Sequence, residues 1–212
     1  MDDTTEKFAF LGLGWLFGIL SPIMTNAIVK QRENIAGRRA IRGELRDVSH
    51  ALVTSYEMIK RHFAETTRDD FVWMKKHLES HASFTDSSKM LAFVNQAIQA
   101  NEVELRTHVL QAKSKPGTAL ELSTFPVPLL DSRVSALWSF DTNFQRTLLQ
   151  IRANIRQLDK LAANAEKYFD QTFNDMEPAN RLRVDANYTM TVRKYADTAK
   201  AIVDLVDTIE RN

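Results

Sequence analysis

Residues 8–29 of this 212-residue chain read FAFLGLGWLFGILSPIMTNAIV, a stretch without one charged side chain. As a helix, a stretch of this length extends roughly 33 Å at about 1.5 Å per residue, which matches the hydrocarbon core of a bilayer. The sequence after it is strongly charged, and its apolar residues recur at helical spacing. The sequence therefore predicts an all-α protein, with an N-terminal transmembrane helix followed by a cytoplasmic bundle of long helices. The predicted regions are a tail at 1–7, the span at 8–29 and the bundle at 30–212.

A cleaved signal peptide is the alternative interpretation of an apolar N-terminus. Signal peptides have a basic first region, an apolar core of about 7–15 residues and a small-residue cleavage site. Here Asp2, Asp3 and Glu6 precede the apolar run together with Lys7, and the run is too long. The residues favour a permanent anchor.

Basic residues cluster directly after the span and predict its orientation. An excess of Lys and Arg marks the cytoplasmic side of a membrane helix, so we expect the N-terminus outside the cell inner membrane and the single-pass chain's C-terminal domain in the cytoplasm. The same residues would contact anionic headgroups, which makes the lipid bilayer the first predicted partner. No recognition motif or interleaved aromatic accompanies them, so no nucleic acid is expected. This basic collar consists of Lys30, Arg32, Arg38, Arg39, Arg42 and Arg46.

Small residues form one stripe along the span. Gly14, Gly18, Ser21 and Thr25 recur at spacings of four, three and four. Such stripes let membrane helices approach closely, because packing and hydrogen bonds replace the hydrophobic effect that lipid cannot supply. We predict that these four residues form an oligomerisation face and that the protein is a homo-oligomer.

The chain after the span contains two especially regular apolar seams. The first predicts a helix over 33–64, and no proline between Ile23 and Lys115 separates it from the span. The second lies on the final helix, after Pro178, and its regularity is typical of left-handed, coiled-coil-like packing. The first seam is Ile41, Leu45, Val48, Leu52, Tyr56, Ile59 and Phe63, and the second is Tyr188, Val192, Tyr195, Ala199, Ile202, Val206 and Ile209.

Between these seams the apolar pattern predicts three more helices and a strap. The first two helices cover 69–81 and 86–112. The strap, 118–130, is extended because prolines disfavour helix formation there, and we expect Phe125 and Leu129 to pack it against the bundle.

The third of these helices begins at Asp131 or Ser132 and is predicted to be the longest of the protein, ending near Phe173. Only Asp141 interrupts its apolar run. We expect that carboxylate either to be exposed or to pair with a basic side chain such as Arg133 or Arg146.

Candidate chemistry is sparse. His77 and His81 are four residues apart on a predicted helix, which could place both rings near one metal ion, but two ligands do not make a site and surface histidines are the simpler interpretation. Arg46 and His50 are similar in kind to the arginine and histidine of helical ribonucleases with the higher-eukaryote and prokaryote nucleotide-binding fold. Three residues separate them here, whereas that family places a longer gap between the two. The sequence predicts no catalytic residue, metal site or cofactor.

The order of an N-terminal span, a basic collar and a helical domain resembles the small membrane accessory proteins of type VI-B CRISPR systems. The resemblance covers the layout of the whole chain and carries no shared motif. It implies a self-associating membrane protein that acts as a scaffold or effector, alters membrane permeability in a bacterial defence context, and has a protein partner that the sequence does not identify. The alternative is a membrane-tethered, nuclease-like or nucleotide-binding module that uses Arg46, His50 or the two histidines.

Overall fold

The computed structural model describes residues 3–79, 87–111, 113 and 120–211, without the side chains of 3–14, 16, 17, 19, 22, 23, 87, 135, 136 and 138. Over these ranges the chain is helical and contains no strand, which confirms the all-α class. The elements are α1 (Asp3–Phe63), α2 (Arg68–Glu79), α3 (Ser87–Gln99), α4 (Glu102–Gln111), α5 (Pro128–Ser132), a 3₁₀ helix (Val134–Ser139), α6 (Thr142–Gln171) and α7 (Pro178–Arg211).

Helix α1 runs without interruption for 61 residues. It joins the predicted span to the helix that the first seam predicts, and it is twice as long as α6, which has 30 residues. The prediction that the helix ending near Phe173 is the longest of the protein is therefore wrong. Among the residues of α1 whose burial the structure describes, Gly37 is the first that is buried. We call the part of α1 before it, residues 3–36, the stalk.

The core lies around α7, which packs against α1 and, antiparallel, against α6. Ion pairs at both ends fix the direction of α7 against α1: Arg46 pairs with Glu210 near the stalk, and Arg193 pairs with Glu65 at the far end. Both predicted seams line this core. Its fully buried members include Ile41, Leu45, Leu52, Val192, Tyr195, Ala199 and Ile202.

The predicted helix over 86–112 is broken in two at Ala100 and Asn101. Asn101 and Glu104 form a reciprocal capping box: the side chain of Asn101 accepts from the Glu104 amide at 3.0 Å, and that of Glu104 accepts from the Asn101 amide at 3.0 Å. This arrangement satisfies two amides that a helix start leaves without partners. It gives α4 its own beginning.

Phe125 and Leu129 were predicted to pack the strap against the bundle. The prediction is right for Phe125, which is half-buried, and wrong for Leu129, which is exposed. The carboxylate of Glu44 on α1 accepts the amides of Leu129 and Leu130 at 2.8 and 2.9 Å, and so caps the short helix α5. The chain therefore turns at Pro128, which buries Leu130 and directs Leu129 outward.

Asp141 marks the real start of α6 and is not an interruption within it. Its carboxylate accepts the Phe144 amide at 2.9 Å as a helix N-cap. As expected, Asp141 is exposed and pairs with a basic side chain, but that partner is Arg38 on α1 and not Arg133 or Arg146. The Phe144 amide and the Arg38 guanidinium hold the pKa of Asp141 below its usual value.

Candidate functional site

The stalk exposes large apolar side chains along its described length. Trp15 is 70% exposed and Met24 is 62% exposed, and Leu20, Ile28 and Val29 are also exposed. The bundle covers none of them. Isolated apolar residues are common on protein surfaces, but a contiguous apolar surface marks a place where lipid or another protein binds.

The four predicted oligomerisation residues lie on this stalk. A Cβ built at Gly18 meets nothing within 4 Å, so the fold of one chain does not require glycine there. The hydroxyl of Thr25 donates to the Ser21 carbonyl at 2.8 Å, and therefore has a partner within its own helix. Ser21 and Thr25 are exposed, while Gly14 lies outside the described side chains.

No helix in the described part of the chain is both long enough and apolar enough to cross a membrane. Twelve of the 22 residues in the predicted span, namely 8–14, 16, 17, 19, 22 and 23, lie outside the described side chains. The transmembrane assignment of 8–29 stays a prediction.

The basic collar divides into two groups. Lys30, Arg32 and Arg39 are exposed and form no ion pair with any described residue. Arg38 pairs with Asp141, and its guanidinium carbon lies 4.5 Å from the centroid of the Phe144 ring.

The other two arginines of the collar also turn towards the bundle. Arg42 is half-buried, with its guanidinium carbon 5.6 Å from the same ring centroid. The Nε of Arg46 donates to Glu210 at 2.8 Å. Half of the collar thus ties α1 to α6 and α7.

His77 is 3% exposed, so the interpretation of this ring as a surface group is wrong. Its ring contacts Trp73, with 4.8 Å between the ring centroids and 56° between the ring planes, and its Nε2 lies 3.7 Å from Asp204. His81 lies outside the described residues, and the described residues hold no cluster of three or more side chains that could bind a metal ion. His77 lies on α2, which packs against α3 and α1, and side chains of α2 reach Asp204 and Asp207 on α7.

A buried polar cluster beside His77 escaped the sequence analysis. The Tyr56 hydroxyl donates to Asp70 at 2.5 Å, and the amide and hydroxyl of Thr67 donate to the other oxygen of that carboxylate at 2.9 and 2.8 Å. Lys200 completes the cluster 3.6 Å from Asp70. Burial alone would raise the pKa of Asp70, but these hydrogen bonds outweigh it and lower the pKa below its usual value.

The Arg46 and His50 pair does not form an open site. The Arg46 guanidinium is engaged by Glu210, and His50 is half-buried and has an interaction of its own. The nuclease-like alternative stays a prediction.

No protein-family model, curated protein or solved structure matches this chain.

Proposed function

We propose that this protein is a single-pass membrane protein of the cell inner membrane, which self-associates through its span and acts as a scaffold or effector. The continuity of α1 carries the proposal. One helix contains the uncharged, mostly apolar segment 8–29 near its start and a seam in the bundle core near its end. The span and the cytoplasmic bundle would therefore behave as one rigid unit.

The exposed stalk gives this proposal its energetic basis. Removing apolar surface from water stabilises by about 25 cal/mol for each Å². Trp15, Leu20, Met24 and Ile28 gain nothing from the bundle, because they remain exposed beside it. Lipid around the stalk, or a second stalk beside it, supplies the missing burial.

Lys30 and Arg32 lie at a different height above the bilayer from Arg38, Arg42 and Arg46, whereas the exposed Arg39 lies at the level of the second set, about 15 Å beyond Val29. If the hydrocarbon core ends at Val29, then Lys30 and Arg32 lie within about 5 Å of it, where headgroups are found, and Arg46 lies about 26 Å away at 1.5 Å per residue. The exposed pair would contact anionic lipid. The three arginines that face the bundle would hold α1 in place instead.

Self-association would make the bundles neighbours on the cytoplasmic side and bring several spans together. Small residues at a helix contact allow the close approach that such an assembly requires. An assembly of spans is also a physical route to altered membrane permeability, which is the effector activity proposed here, in a defence context.

The decisive experiment replaces both Gly14 and Gly18 by leucine, which keeps the span apolar and adds bulk to the proposed contact face. The mass of the detergent-solubilised protein is then measured by native mass spectrometry. We expect an oligomer for the wild-type chain and a smaller species, still membrane-inserted, for the variant.

Gly12 and Ala27 provide the matched control, since both are small and lie on the opposite face of an ideal helix from Gly14 and Gly18. Replacing these two by leucine should leave the oligomer unchanged. If both double variants assemble like the wild type, or the wild type is a monomer, the proposal of self-association through this stripe is wrong.

A reporter fused after Asn212 tests the orientation separately. The basic flank predicts activity for a reporter that works only in the cytoplasm. Activity of a reporter that requires the periplasm would reverse the proposed topology and leave the oligomerisation result unaffected.

A further inference from the structure

A cavity of about 310 Å³ lies where the start of the seam on α1 meets the start of α6 and the end of α7. Two arginines of the basic collar, Arg38 and Arg42, line it from α1. Phe144 of α6 and Ile209 of α7 form apolar parts of its wall, and both are buried. The cavity thus brings two guanidinium groups beside an apolar surface, at the junction between α1 and the rest of the bundle.

The charges in this cavity do not balance. Asp141 is the one acidic residue of its described lining, and its carboxylate already accepts from the Arg38 guanidinium and the Phe144 amide. The guanidinium carbons of Arg38 and Arg42 lie 4.5 and 5.6 Å from the centroid of the Phe144 ring, which keeps the two like charges near each other. The cavity therefore carries an excess of positive charge.

Arg42 has no counter-ion among the described residues. It forms no hydrogen bond with any of them, and its one described contact through the guanidinium is with the Phe144 ring. Of its guanidinium nitrogens only Nε is buried, so the two terminal nitrogens remain accessible to a ligand. The other collar arginines that face the bundle, Arg38 and Arg46, each have a carboxylate partner. A half-buried cation without a partner destabilises the folded chain, and an anion in the cavity would relieve that cost.

We propose that this cavity binds a phosphate group, held by the terminal nitrogens of Arg42 and by the donors of Arg38 that Asp141 leaves free. A guanidinium has five N–H donors and binds phosphate oxygens with two parallel bonds. A phosphate monoester offers three oxygens and up to two negative charges, so it can bridge both guanidinium groups. A carboxylate has only two oxygens and one charge. The side-chain amide of Asn143, which also lines the cavity, can add a further donor.

The position of Arg42 favours a soluble phosphate compound over a lipid headgroup. If the hydrocarbon core ends at Val29, Arg42 lies about 20 Å beyond it at 1.5 Å per residue. The headgroup region on each side of a bilayer is only about 5–8 Å thick, so a headgroup would not reach the cavity. This choice of source rests on the proposed span. The phosphate site itself depends neither on the span nor on self-association.

Phosphorus-31 nuclear magnetic resonance of inorganic phosphate, titrated with the full chain in dodecyl maltoside micelles, tests the site, because this detergent contains no phosphorus. We expect saturable binding of one phosphate per chain at physiological ionic strength. Acetate at the same concentration should displace little of it. No saturable binding at millimolar phosphate, or displacement by acetate as strong as by unlabelled phosphate, would overturn the proposal.

Variants then locate the site. Arg42→Gln removes the charge and keeps a long polar side chain, so phosphate affinity should fall by about tenfold or more. Thr147→Phe fills the cavity without altering its charge, and should abolish binding. Arg39→Gln is the matched control and should bind like the wild type, because Arg39 is an exposed arginine of the same helix that lies outside the cavity.

Thermal unfolding of each variant shows whether it is folded, and Thr147→Phe tests the cavity even if Arg42→Gln is not. Wild-type affinity in a folded Arg42→Gln or Thr147→Phe variant would contradict the site. Equal losses in Arg39→Gln and Arg42→Gln would also contradict it, since they would mean that the positive charge of α1 attracts phosphate without a defined site.

Phosphatidylglycerol tests the source of the phosphate. Mixed micelles of dodecyl maltoside and this lipid should leave the affinity for inorganic phosphate unchanged. Displacement of phosphate by the lipid would assign the cavity to a headgroup and overturn the soluble source. Neither result alters the mass measurement that tests self-association.

Discussion

The two halves of α1 are the same helix with opposite surroundings. In the stalk, Trp15 and Met24 are mostly exposed, whereas Leu45 and Leu52 in the seam have no exposed surface. The seam places its apolar residues on one stripe with polar residues around the rest, whereas residues 8–29 of the stalk carry no charge and have apolar residues on every side of the helix. Apolar content therefore does not decide burial in this protein. The arrangement around the helix axis does, because a single stripe can be covered by two neighbouring helices and a fully apolar cylinder cannot.

Truncating one leucine in each half of α1 tests this difference most directly. Leu52→Ala removes a side chain that is 0% exposed and should lower the free energy of unfolding by about 2–5 kcal/mol. Leu20→Ala truncates a side chain that is 41% exposed on the stalk, and should change the unfolding of the bundle by less than about 0.5 kcal/mol. Urea unfolding in detergent, followed by circular dichroism, measures both. Equal losses would mean that the stalk and the bundle unfold as one cooperative unit.

Removing the Tyr56 hydroxyl tests the buried hydrogen bond between the seam and Asp70. We expect it to lower the free energy of unfolding by less than Leu52→Ala does. Tyr56→Phe keeps the ring against Trp73 and removes the donor to Asp70. A hydrogen bond to a charged group contributes about 1.5–3 kcal/mol, and we expect a loss of that size at pH 7.

The same variant carries a pH signature. Because the folded pKa of Asp70 is lowered, its stabilisation is fully present above the unfolded pKa, near 3.9, and is lost as pH falls through the folded value. The difference between wild type and Tyr56→Phe should therefore shrink below about pH 4. Tyr188→Phe is the control, because the Tyr188 hydroxyl accepts a hydrogen bond from the uncharged Leu120 amide. The decrease in the free energy of unfolding that this variant causes should not depend on pH in this range. A constant Tyr56→Phe loss down to pH 2.5 would contradict the role assigned to Asp70.

Replacing glycines by alanine should give the smallest difference in the free energy of unfolding between the two halves of α1. A Cβ at Gly43, in the seam half, meets nothing within 4 Å, so Gly43→Ala should raise the free energy of unfolding by about 0.5–1 kcal/mol through helix propensity. Gly37→Ala should gain less, because its Cβ would lie 3.1 Å from Arg133 Nη1 and that side chain must move. Gly18→Ala on the stalk should leave bundle unfolding unchanged. Thermal unfolding of the three variants, measured side by side, checks this order of stability gains. A different order would contradict the prediction.

Helical periodicity predicted the parts of the fold in which one face is buried along a long helix. Ile41 to Ile59 on α1 and Val192 to Ile209 on α7 are buried as their spacing indicates. Each seam is a local property of the sequence. Its period alone determines which face turns inward.

Partners that are distant in sequence could not be predicted in this way. Asp141 pairs with Arg38, 103 residues away, and Glu44 caps α5 from across the bundle. The cavity between the strap and α6 depends on where these two segments cross, and no spacing in the sequence encodes that crossing. The break at Asn101 could have been predicted, because Asn101 and Glu104 have the spacing of a capping box. The apolar positions that continue on both sides favoured one unbroken helix instead.

The length of α1 turns small rotations into large displacements. From Val29 to Phe63 the helix extends about 51 Å at 1.5 Å per residue. If its base is fixed at the membrane, a change of about 10° in tilt moves the far end sideways by about 9 Å, and the bundle packed on the seam moves with it. Membrane helices adjust their tilt to the thickness of the bilayer. An anchored α1 would thus act as a lever, with the spacing between neighbouring bundles as its output.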